Sequence, residues 1–282
     1  MANPAVDSPD WQGRNQSMSS PVQPLHHWVI GDVHGCAASL AALLNLLPET
    51  DRLVFCGDVI NRGPRIAETM ELVWQLVAAG RAVWLKGNHE ADLLAALQLQ
   101  ERWVQGQFAS PQSTSRKSAS HLSTSHLSAS QPAASQPATS QPAAQRLLAG
   151  NDTYRQLGAG NCRLWRQRLA QLPEVYWGAG WAATHAGFDP FTWNPSLDIR
   201  LPFWQHYDGR YGTVVVGHTP AAEVRHLGEI VIVDTGACYG GKLSAYCPET
   251  GELRQVPGLQ SRSALGLEQR VPGGPALAGC RF

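Results

Sequence analysis

Residues 27–63 read HWVIGDVHGCAASLAALLNLLPETDRLVFCGDVINRG, and this stretch decides the fold that we expect. It contains two short apolar runs, His27–Ile30 and Leu53–Cys56, whose length and composition are typical of buried strands. Between them, leucines recur at helical spacing from position 40 to position 47. Each apolar run is followed directly by Gly-Asp. The stretch therefore predicts a strand–helix–strand unit whose strands both end in short polar loops.

The alternation of strand and helix continues downstream. A second helix is predicted after Pro64, where apolar residues recur at helical spacing between positions 66 and 77, and a third strand follows at Ala82–Leu85. Farther along, one clear helix is predicted at Cys162–Leu172. The later predicted strands are Trp181–Thr184, Thr213–Val216, Ile230–Val233 and Leu243–Cys247. A βαβαβ half followed by a mostly β half predicts an α/β fold with sheets packed inside two helical layers.

Three stretches have compositions that disfavour a packed core. Residues 1–24 are rich in Pro, Ser, Asn and Gln and are predicted to be a disordered leader. Residues 109–145 contain three copies of SQPA and are predicted to be a disordered, low-complexity insert, because such tracts bury too little apolar surface to offset their ordering entropy. Residues 258–282, rich in Gly, Pro, Ser and Ala, are predicted to be a loose tail. A single domain over residues 25–257 remains, with the insert inside it.

The overall charge and the cysteines narrow the functional classes. Lys+Arg and Asp+Glu both count 22, so the net charge of +0 lacks the basic surplus of proteins that bind nucleic-acid polymers or membrane surfaces. The six cysteines form no C-x-x-C pair, which indicates free thiols in a reducing compartment. The start of the chain shows no signal-peptide pattern, and no apolar run reaches about 20 residues. These features predict a cytoplasmic protein with no membrane or nucleic-acid partner.

Five predicted strands end in short polar motifs. In the first half these are GDVHG (31–35), GDVINRG (57–63) and KGNHE (86–90). In the second half they are THAG (184–187) and GHTP (217–220). Together the motifs deliver Asp, His and Asn, the oxygen and nitrogen donors of a divalent-metal site, and their glycines let the backbone approach an ion closely. The candidate ligands are Asp32, His34, Asp58, Asn88, His185 and His218.

This donor set suits the hydrolysis of a phosphate ester. The reaction needs a strong nucleophile at neutral pH and a means of spreading charge on the phosphoryl oxygens. Two cations about 3.5–4 Å apart meet both needs, by acidifying a bridging water and clamping the phosphoryl group. One carboxylate must then be shared by the two ions, and Asp58, the middle aspartate, is the candidate. A nearby histidine can protonate the leaving oxygen.

The order GDxHG, GDxxxRG, GNHE, HAG, GHTP resembles that of the calcineurin-like metallophosphoesterases, specifically their phosphoprotein-phosphatase branch. The match spans residues 27–250 and is interrupted by the insert. The resemblance implies a metal-dependent phosphatase with a single-domain, four-layer α/β/β/α sandwich. By the same resemblance, one metal ion would be held by Asp32, His34 and Asp58. The second would be held by Asp58, Asn88, His185 and His218.

The resemblance also implies roles for residues beside the ligands. His89 would be the general acid, and Arg62 would bind the phosphate oxygens. Lys86 lies where the family often has Arg, and its role stays open. Arg200 and Arg210 are the candidates for a second phosphate-binding arginine.

One position departs from the family pattern GDxxDRG, in which the second Asp hydrogen-bonds the catalytic His. This chain has Asn61 there. An amide oxygen can accept a hydrogen bond from an imidazole N–H, but it cannot stabilise imidazolium charge as a carboxylate does. We therefore expect His89 to be less basic than in typical relatives and to give weaker assistance to poor leaving groups. Asn61→Asp should then raise the turnover of alkyl phosphates, and an unchanged rate would contradict this expectation.

Three functions compete on the sequence alone. The favoured one is a Ser/Thr protein phosphatase that also accepts small phosphomonoesters. The alternative is a symmetrical dinucleoside-tetraphosphate hydrolase, because such enzymes often lack the second Asp and because VDTGACYGGKLSA (233–245) resembles both groups. GNHE, GHTP and the short spacing from HAG to GHTP favour the phosphatases. The third is a metal-binding regulatory module without activity, which the complete set of ligands disfavours.

The expected cofactors are two divalent metal ions. Mixed oxygen and nitrogen ligation suits manganese, which we favour, and also iron or zinc. The expected partner is a phosphorylated protein or a small phosphoester, whereas the oligomeric state and the purpose of the insert are not predicted.

Overall fold

The computed structural model describes residues 26–105 and 140–259 of the chain. The predicted leader lies outside the described residues, as do residues 109–139 of the predicted insert and residues 260–282 of the predicted tail.

The described residues alternate between strands and helices in the first part and are mostly strand in the second. The first elements are β1 (His27–Ile30), α1 (Ala37–Leu44), β2 (Arg52–Phe55), α2 (Ile66–Ala78), β3 (Ala82–Trp84), α3 (Asn88–Val104), α4 (Ser140–Gly150) and α5 (Asp152–Ala170). The later elements are β4 (Val175–Gly178), β5 (Trp181–Thr184), β6 (Gly187–Phe188), β7 (Pro195–Ser196), α6 (Leu201–His206), β8 (Thr213–Val216), β9 (Arg225–Leu227), β10 (Ile230–Ile232), a 3₁₀ turn (Ala237–Tyr239), β11 (Lys242–Tyr246) and β12 (Leu253–Pro257).

Two five-stranded sheets form the centre of the fold. The first has the order β12–β11–β1–β2–β3, in which β1, β2 and β3 are parallel and β11 is antiparallel to β1. The second has the order β4–β5–β8–β10–β9, in which β5, β8 and β10 are parallel. Parallel strands end at the same edge of a sheet, so the loops after β1, β2 and β3 lie side by side, as do those after β5 and β8.

Side chains of the first sheet alternate between its two faces. In β1, Trp28 and Ile30 pack in the cluster that contains the residues of α1, α2, α3 and α5, whereas Val29 packs against the second sheet. Both faces are buried, which is why the strands read as continuous apolar runs. On the second sheet, Phe188 and Phe203 of α6 cover the outer face. The layers are therefore helices, sheet, sheet and helix, and the predicted four-layer α/β/β/α fold is confirmed.

Helical structure extends beyond the sequence prediction after β3. The sequence did not predict α3, whose buried residues Leu93, Ala96 and Leu97 form a narrow stripe on an otherwise polar helix. α5 begins at Asp152, well before the predicted start at Cys162. Gly158 inside it has φ 75° and ψ 164°, and this kink interrupts the helical periodicity on which the prediction relied.

The last residues of the predicted insert are helical. α4 begins at Ser140, within the stretch expected to be disordered. It buries Ala144 and Leu148, which lie one helical turn apart on the same face, and it contacts α3. The sequence did not predict this short apolar stripe, because its helix begins within the repeated SQPA segment.

The described cysteines Cys36, Cys56, Cys162, Cys238 and Cys247 are free thiols, as predicted. Burial raises the pKa of Cys36 to about 12, which keeps this thiol protonated at neutral pH. Among the described helices, none combines the length and the apolar character that crossing a membrane requires.

Candidate metal centre

The loops after β1, β2, β3, β5 and β8 meet at one edge of the two sheets, and they bring the six predicted ligands together. The first group of ligands surrounds His34. Its Nε2 lies 3.8 Å from Asp32 Oδ2 and 3.7 Å from Asp58 Oδ2. All three side chains are buried.

The second group is tighter. Asn88 Oδ1 lies 2.9 Å from His185 Nε2 and 3.1 Å from His218 Nδ1, and the two ring nitrogens are 3.2 Å apart. His185 Nε2 also lies 3.6 Å from Asp58 Oδ2. The same carboxylate oxygen, Asp58 Oδ2, therefore lies near a histidine of each group.

Hydrogen bonds to the backbone aim these donor atoms. His34 Nδ1 donates to the Ile60 carbonyl and His185 Nδ1 donates to the Cys56 carbonyl, each at 2.8 Å. A neutral ring whose Nδ1 carries the proton has a bare Nε2, so both rings present a lone pair to the carboxylates.

The two aspartates are oriented in a similar way. Asp32 Oδ1 accepts the His218 N–H at 3.0 Å, and Asp58 Oδ1 accepts the His89 N–H at 3.0 Å. In both side chains Oδ2 is left to face the cluster. Glycines make this approach feasible, because a Cβ at Gly217 or Gly87 would overlap the Oδ1 atom of the respective aspartate.

The donor atoms fit divalent cations. Burial lowers the pKa of His185 to about 4, so its ring is neutral at pH 7 and its bare Nε2 faces the Asn88 oxygen, lone pair to lone pair. A cation bound at about 2.1 Å would turn this repulsion into ligation, and the ligand atoms around such an ion lie about 3.0–3.4 Å apart. The spacing of Asn88, His185 and His218 falls close to that range.

The pKa shifts within the cluster also indicate that a bound cation would stabilise it. Burial, followed by the negative charges of Asp234 and Asp58, holds the pKa of Asp32 well above its usual range. Burial raises the pKa of Asp58 to about 7 and lowers that of His34 to about 3. A divalent cation would favour the ionised carboxylates and the neutral rings together.

The backbone is strained at this site. Among the described residues, six non-glycine residues have positive φ, and five of them are predicted site residues. They are His34, Asp58, Asn61, Arg62 and His218. Such conformations cost about 1–3 kcal/mol each and persist where surrounding contacts hold them, which is typical of functional sites.

His89 lies beside the ligands, with its Nε2 3.8 Å from Asp58 Oδ2 and 3.0 Å from Arg62 Nη2. Its Nδ1 lies 2.7 Å from Asn61 Nδ2. The sequence reading expected the amide oxygen of Asn61 to accept from this ring, but the oxygen faces Thr153 and the NH₂ group faces His89. Asn61 is therefore a donor to His89.

The sequence comparisons agree with this arrangement. The sequence model of the family described as calcineurin-like phosphoesterase matches residues 25–134. The asymmetrical bis(5'-nucleosyl)-tetraphosphatase PrpE of Bacillus cereus is 28% identical over 242 residues, which cover 81% of this chain and 93% of the relative. These comparisons confirm the predicted resemblance to the calcineurin-like phosphoesterases. The chain is a metal-dependent hydrolase of phosphoric esters, as the sequence predicted.

Other comparisons are more limited. The symmetrical bis(5'-nucleosyl)-tetraphosphatase of Methylococcus capsulatus is 46% identical over 71 residues, which cover 24% of this phosphoesterase and 25% of the relative. A protein serine/threonine phosphatase from Saccharomyces cerevisiae, with similarity to human phosphatase PP5, has a TM-score of 0.53 at 12% identity, covering 85% of this chain and 82% of that chain. The hypothetical protein PH1004 from Pyrococcus horikoshii has a TM-score of 0.51 at 11% identity, and the match covers 85% of this chain and 90% of that chain. The two structures share the fold with this chain.

The sequence reading missed two buried carboxyl groups of this phosphoesterase. Glu90 accepts the N–H groups of Asp58, Val59 and Gly87, each at 2.9 Å, and it thereby anchors the strained turn after β2. Asp234 is buried near Asp32 and raises its pKa. Both residues lie in motifs quoted from the sequence, GNHE and VDTG, but only the folded chain shows what they contact.

Of the three basic residues whose roles the sequence left open, one lies near the centre and two form ion pairs with acidic residues. Arg200 lies near the centre, since its positive charge contributes, after burial, to lowering the pKa values of His185 and His218 to about 4. Arg210 instead pairs with Asp208 at 2.8 Å. Lys86 pairs with Glu174 at 3.3 Å.

A cavity of about 500 Å³ opens beside the centre. Arg62 and His89 line it, α3 contributes Asp92, and α4 and the start of α5 contribute Leu147 and Asp152. The cavity is therefore lined by predicted site residues and by residues of three helices.

Proposed function

We propose that this phosphoesterase hydrolyses phosphomonoesters, with phosphoserine and phosphothreonine side chains of proteins as the favoured substrates. The observation that carries the proposal is that Asp58 Oδ2 lies 3.6–3.8 Å from the Nε2 atoms of His34, His89 and His185. One carboxylate oxygen thus adjoins both ligand groups and the proposed acid. Two divalent cations, with Mn²⁺ favoured, are proposed to bind there and, when bound, to acidify water and screen the charge of the phosphoryl oxygens.

The proposed metal ligands are those named from the sequence. Asp32, His34 and Asp58 would form one set of ligands, and Asn88, His185 and His218 would complete the second set with Asp58. The short distances within each group support this division.

The roles proposed for Arg62 and His89 are supported by their place in the lining of the cavity. Arg62 is proposed to bind the phosphoryl oxygens, and its guanidinium is also 5.1 Å from the centre of the Tyr239 ring. His89 is proposed as the general-acid group, because its Nε2 lies 3.8 Å from Asp58 Oδ2 and the residue lines the cavity. Arg200 is the proposed second phosphate-binding arginine.

The charged side chains that line the cavity favour a leaving group that carries no polyphosphate. Of its lining residues, Arg62 is the cation, whereas Asp92 and Asp152 are acidic. Asp152 is paired with Arg155, which leaves Asp92 without a basic partner among the lining residues. A departing nucleoside polyphosphate would be repelled by Asp92, whereas a peptide with basic residues beside the phosphorylated side chain would be attracted.

Hydrolysis of dinucleoside tetraphosphates is the second candidate. It is favoured by the names of the two tetraphosphatase relatives, one of which aligns over 81% of this chain.

One parallel assay separates the two candidates. The Mn²⁺-loaded protein would be offered p-nitrophenyl phosphate, a lysine-flanked phosphothreonine peptide and diadenosine tetraphosphate. We expect kcat/KM for the peptide to exceed that for the dinucleotide by at least about tenfold, or roughly 1.4 kcal/mol. A preference of that size for the dinucleotide would replace the first candidate by the second. The absence of turnover with metal bound would contradict both.

A further inference from the structure

The N-terminal turn of α5 is bonded to the strained turn at Asn61. Thr153 is fully buried and makes three hydrogen bonds to Asn61. Its N–H and its hydroxyl donate to Asn61 Oδ1 at 3.0 and 2.7 Å, and its hydroxyl oxygen accepts the Asn61 N–H at 3.0 Å. A hydroxyl has one proton to give, so this pattern uses Thr153 Oγ1 once as donor and once as acceptor.

Two other side chains of α5 hold the backbone of the same turn. Asp152 Oδ2 accepts the Arg62 N–H at 3.0 Å. Gln156 donates to the Gly63 carbonyl at 2.9 Å and accepts the Ile66 N–H at 3.1 Å. These contacts come from a helix that follows the insert in sequence, and its three contacting residues, Asp152, Thr153 and Gln156, lie outside the five strand-end motifs.

The bonds from Thr153 decide which end of the Asn61 amide faces His89. Both donors of Thr153 occupy Oδ1, so the NH₂ group is the end that lies 2.7 Å from His89 Nδ1. A ring nitrogen that accepts from an amide cannot carry a proton, so this contact favours the neutral ring with its proton on Nε2. Arg62 Nη2, which lies 3.0 Å from Nε2, is also a donor and must turn toward the phosphoryl oxygens for Nε2 to carry that proton. Nε2 is the nitrogen that lies 3.8 Å from Asp58 Oδ2, and His89 lines the cavity.

We propose that Thr153 is a positioning residue for the hydrolysis reaction. Thr153 fixes the Asn61 amide, and the amide keeps the His89 proton on Nε2, where the N–H hydrogen-bonds the oxygen of the leaving group. In this step His89 assists by a hydrogen bond from its neutral ring in place of the full proton transfer of a general acid, and the leaving oxygen takes its proton from water as its bond to phosphorus breaks. The inference rests on the proposed function, since it requires a leaving oxygen beside His89.

The test compares Thr153→Val with Thr153→Ser. Valine keeps the shape of the side chain and removes the hydroxyl, whereas serine keeps the hydroxyl. In Thr153→Val we expect kcat for alkyl phosphates to fall by about tenfold, with a smaller fall for p-nitrophenyl phosphate, whose leaving group needs less assistance. KM should stay within about twofold, because phosphate binding by Arg62 is unchanged. Thr153→Ser should restore kcat.

The second readout is the ¹⁵N chemical shifts of the His89 ring in the zinc-loaded protein. We expect Nε2–H and a bare Nδ1 in the wild type, and a mixture of the two tautomers in Thr153→Val. In Asn61→Asp a carboxylate oxygen would face the ring, so Nδ1 should gain a proton. A wild-type ring with its proton on Nδ1, or an equal fall of kcat for all leaving groups, would overturn the inference.

The readouts also separate this inference from the proposed function. A wild type that hydrolyses no phosphomonoester would refute the proposed function, whereas the ring shifts report the tautomer independently of turnover. Bound zinc and the melting temperature would show whether Thr153→Val folds. If it does not fold, Asn61→Asp alone decides the matter, because a ring with a bare Nδ1 in that variant would overturn the role assigned to the amide.

Discussion

At the scale of single residues, Asp58 has the contacts on which the proposed two-metal site depends. Its Oδ1 accepts the His89 N–H, and its Oδ2 faces both ligand groups. Its φ of 50° is unfavourable for a residue with a side chain, and Glu90 holds it there by accepting the Asp58 N–H. His89 and Glu90 of the GNHE motif thus hold the side chain and the backbone of Asp58 in position.

Asp58→Asn should abolish hydrolysis and weaken the binding of both ions. The amide keeps the shape but removes the negative charge that both ions would share, so we expect kcat/KM to fall by at least about a thousandfold. Metal content after desalting measures the binding. Asp51→Asn is the matched control, because Asp51 is equally buried but accepts a hydrogen bond from Trp28. Retention of two tightly bound ions in Asp58→Asn would contradict the shared-ligand role.

Asp92→Asn should change substrate preference more than it changes activity. Removing the acidic side chain from the cavity should lower kcat/KM for a lysine-flanked phosphopeptide relative to diadenosine tetraphosphate by about three- to tenfold. Glu68→Gln is the control, since Glu68 is an exposed residue of α2 that does not line the cavity. An unchanged ratio at low salt would show that the cavity does not select by charge.

At the scale of elements, α4 forms one wall of the cavity and depends on packing against α3. Leu148 is 1% exposed, whereas the neighbouring Leu147 is 59% exposed and lines the cavity. Leu148 therefore marks the face of α4 that packs in the core, and Leu147 marks the face that lines the cavity.

Leu148→Ala should lower the free energy of unfolding by about 2–4 kcal/mol, because the truncation leaves a void between α3 and α4. Leu147→Ala should change it by less than about 0.5 kcal/mol, since an exposed side chain loses little packing. Urea denaturation of both variants measures the difference. Equal effects would mean that α4 does not pack as described.

At the scale of the whole molecule, the site ties stability to pH and to metal. Burial raises the pKa of Asp58 to about 7 and that of Glu90 to about 8, so the folded metal-free protein holds these protons more tightly than the unfolded chain does. The stability that they contribute is present at low pH and is lost as the pH rises through these values. Burial lowers the pKa values of His34, His89, His185 and His218, whose contributions are lost instead as the pH falls below about 6.5.

Between about pH 6.5 and pH 8, the carboxyl groups of the site are the ones that titrate. We therefore expect the melting temperature of the metal-free protein to fall over this range, by about 2–4 °C for each kcal/mol lost. With Mn²⁺ bound the fall should disappear, because the cations hold the carboxylates ionised at every pH in the range. Thermal melts with chelator and with Mn²⁺ measure this, and a flat metal-free curve would contradict it.

Much of the fold was readable because its strands are buried on both faces. β1, β2, β5 and β8 read as short apolar runs, and Gly-Asp or a histidine motif marks the end of each. The elements that were missed have weaker local signals. α3 and α4 bury narrow stripes on polar helices, β4 and β9 lie at an edge of the second sheet, and a kink at Gly158 divides α5.

The sequence by itself determined the candidate ligands, because parallel strands must deliver the residues that follow them to one edge of a sheet. It also determined the α/β class, through the order of apolar runs. Which atom of each side chain faces the centre was decided only by the tertiary structure, because the backbone carbonyls at Cys56 and Ile60 and the N–H groups at His89 and His218 come from loops far apart in the chain. The orientation of the Asn61 amide is of the same kind. It depends on Thr153, a residue 92 positions away whose contact with Asn61 no local pattern encodes.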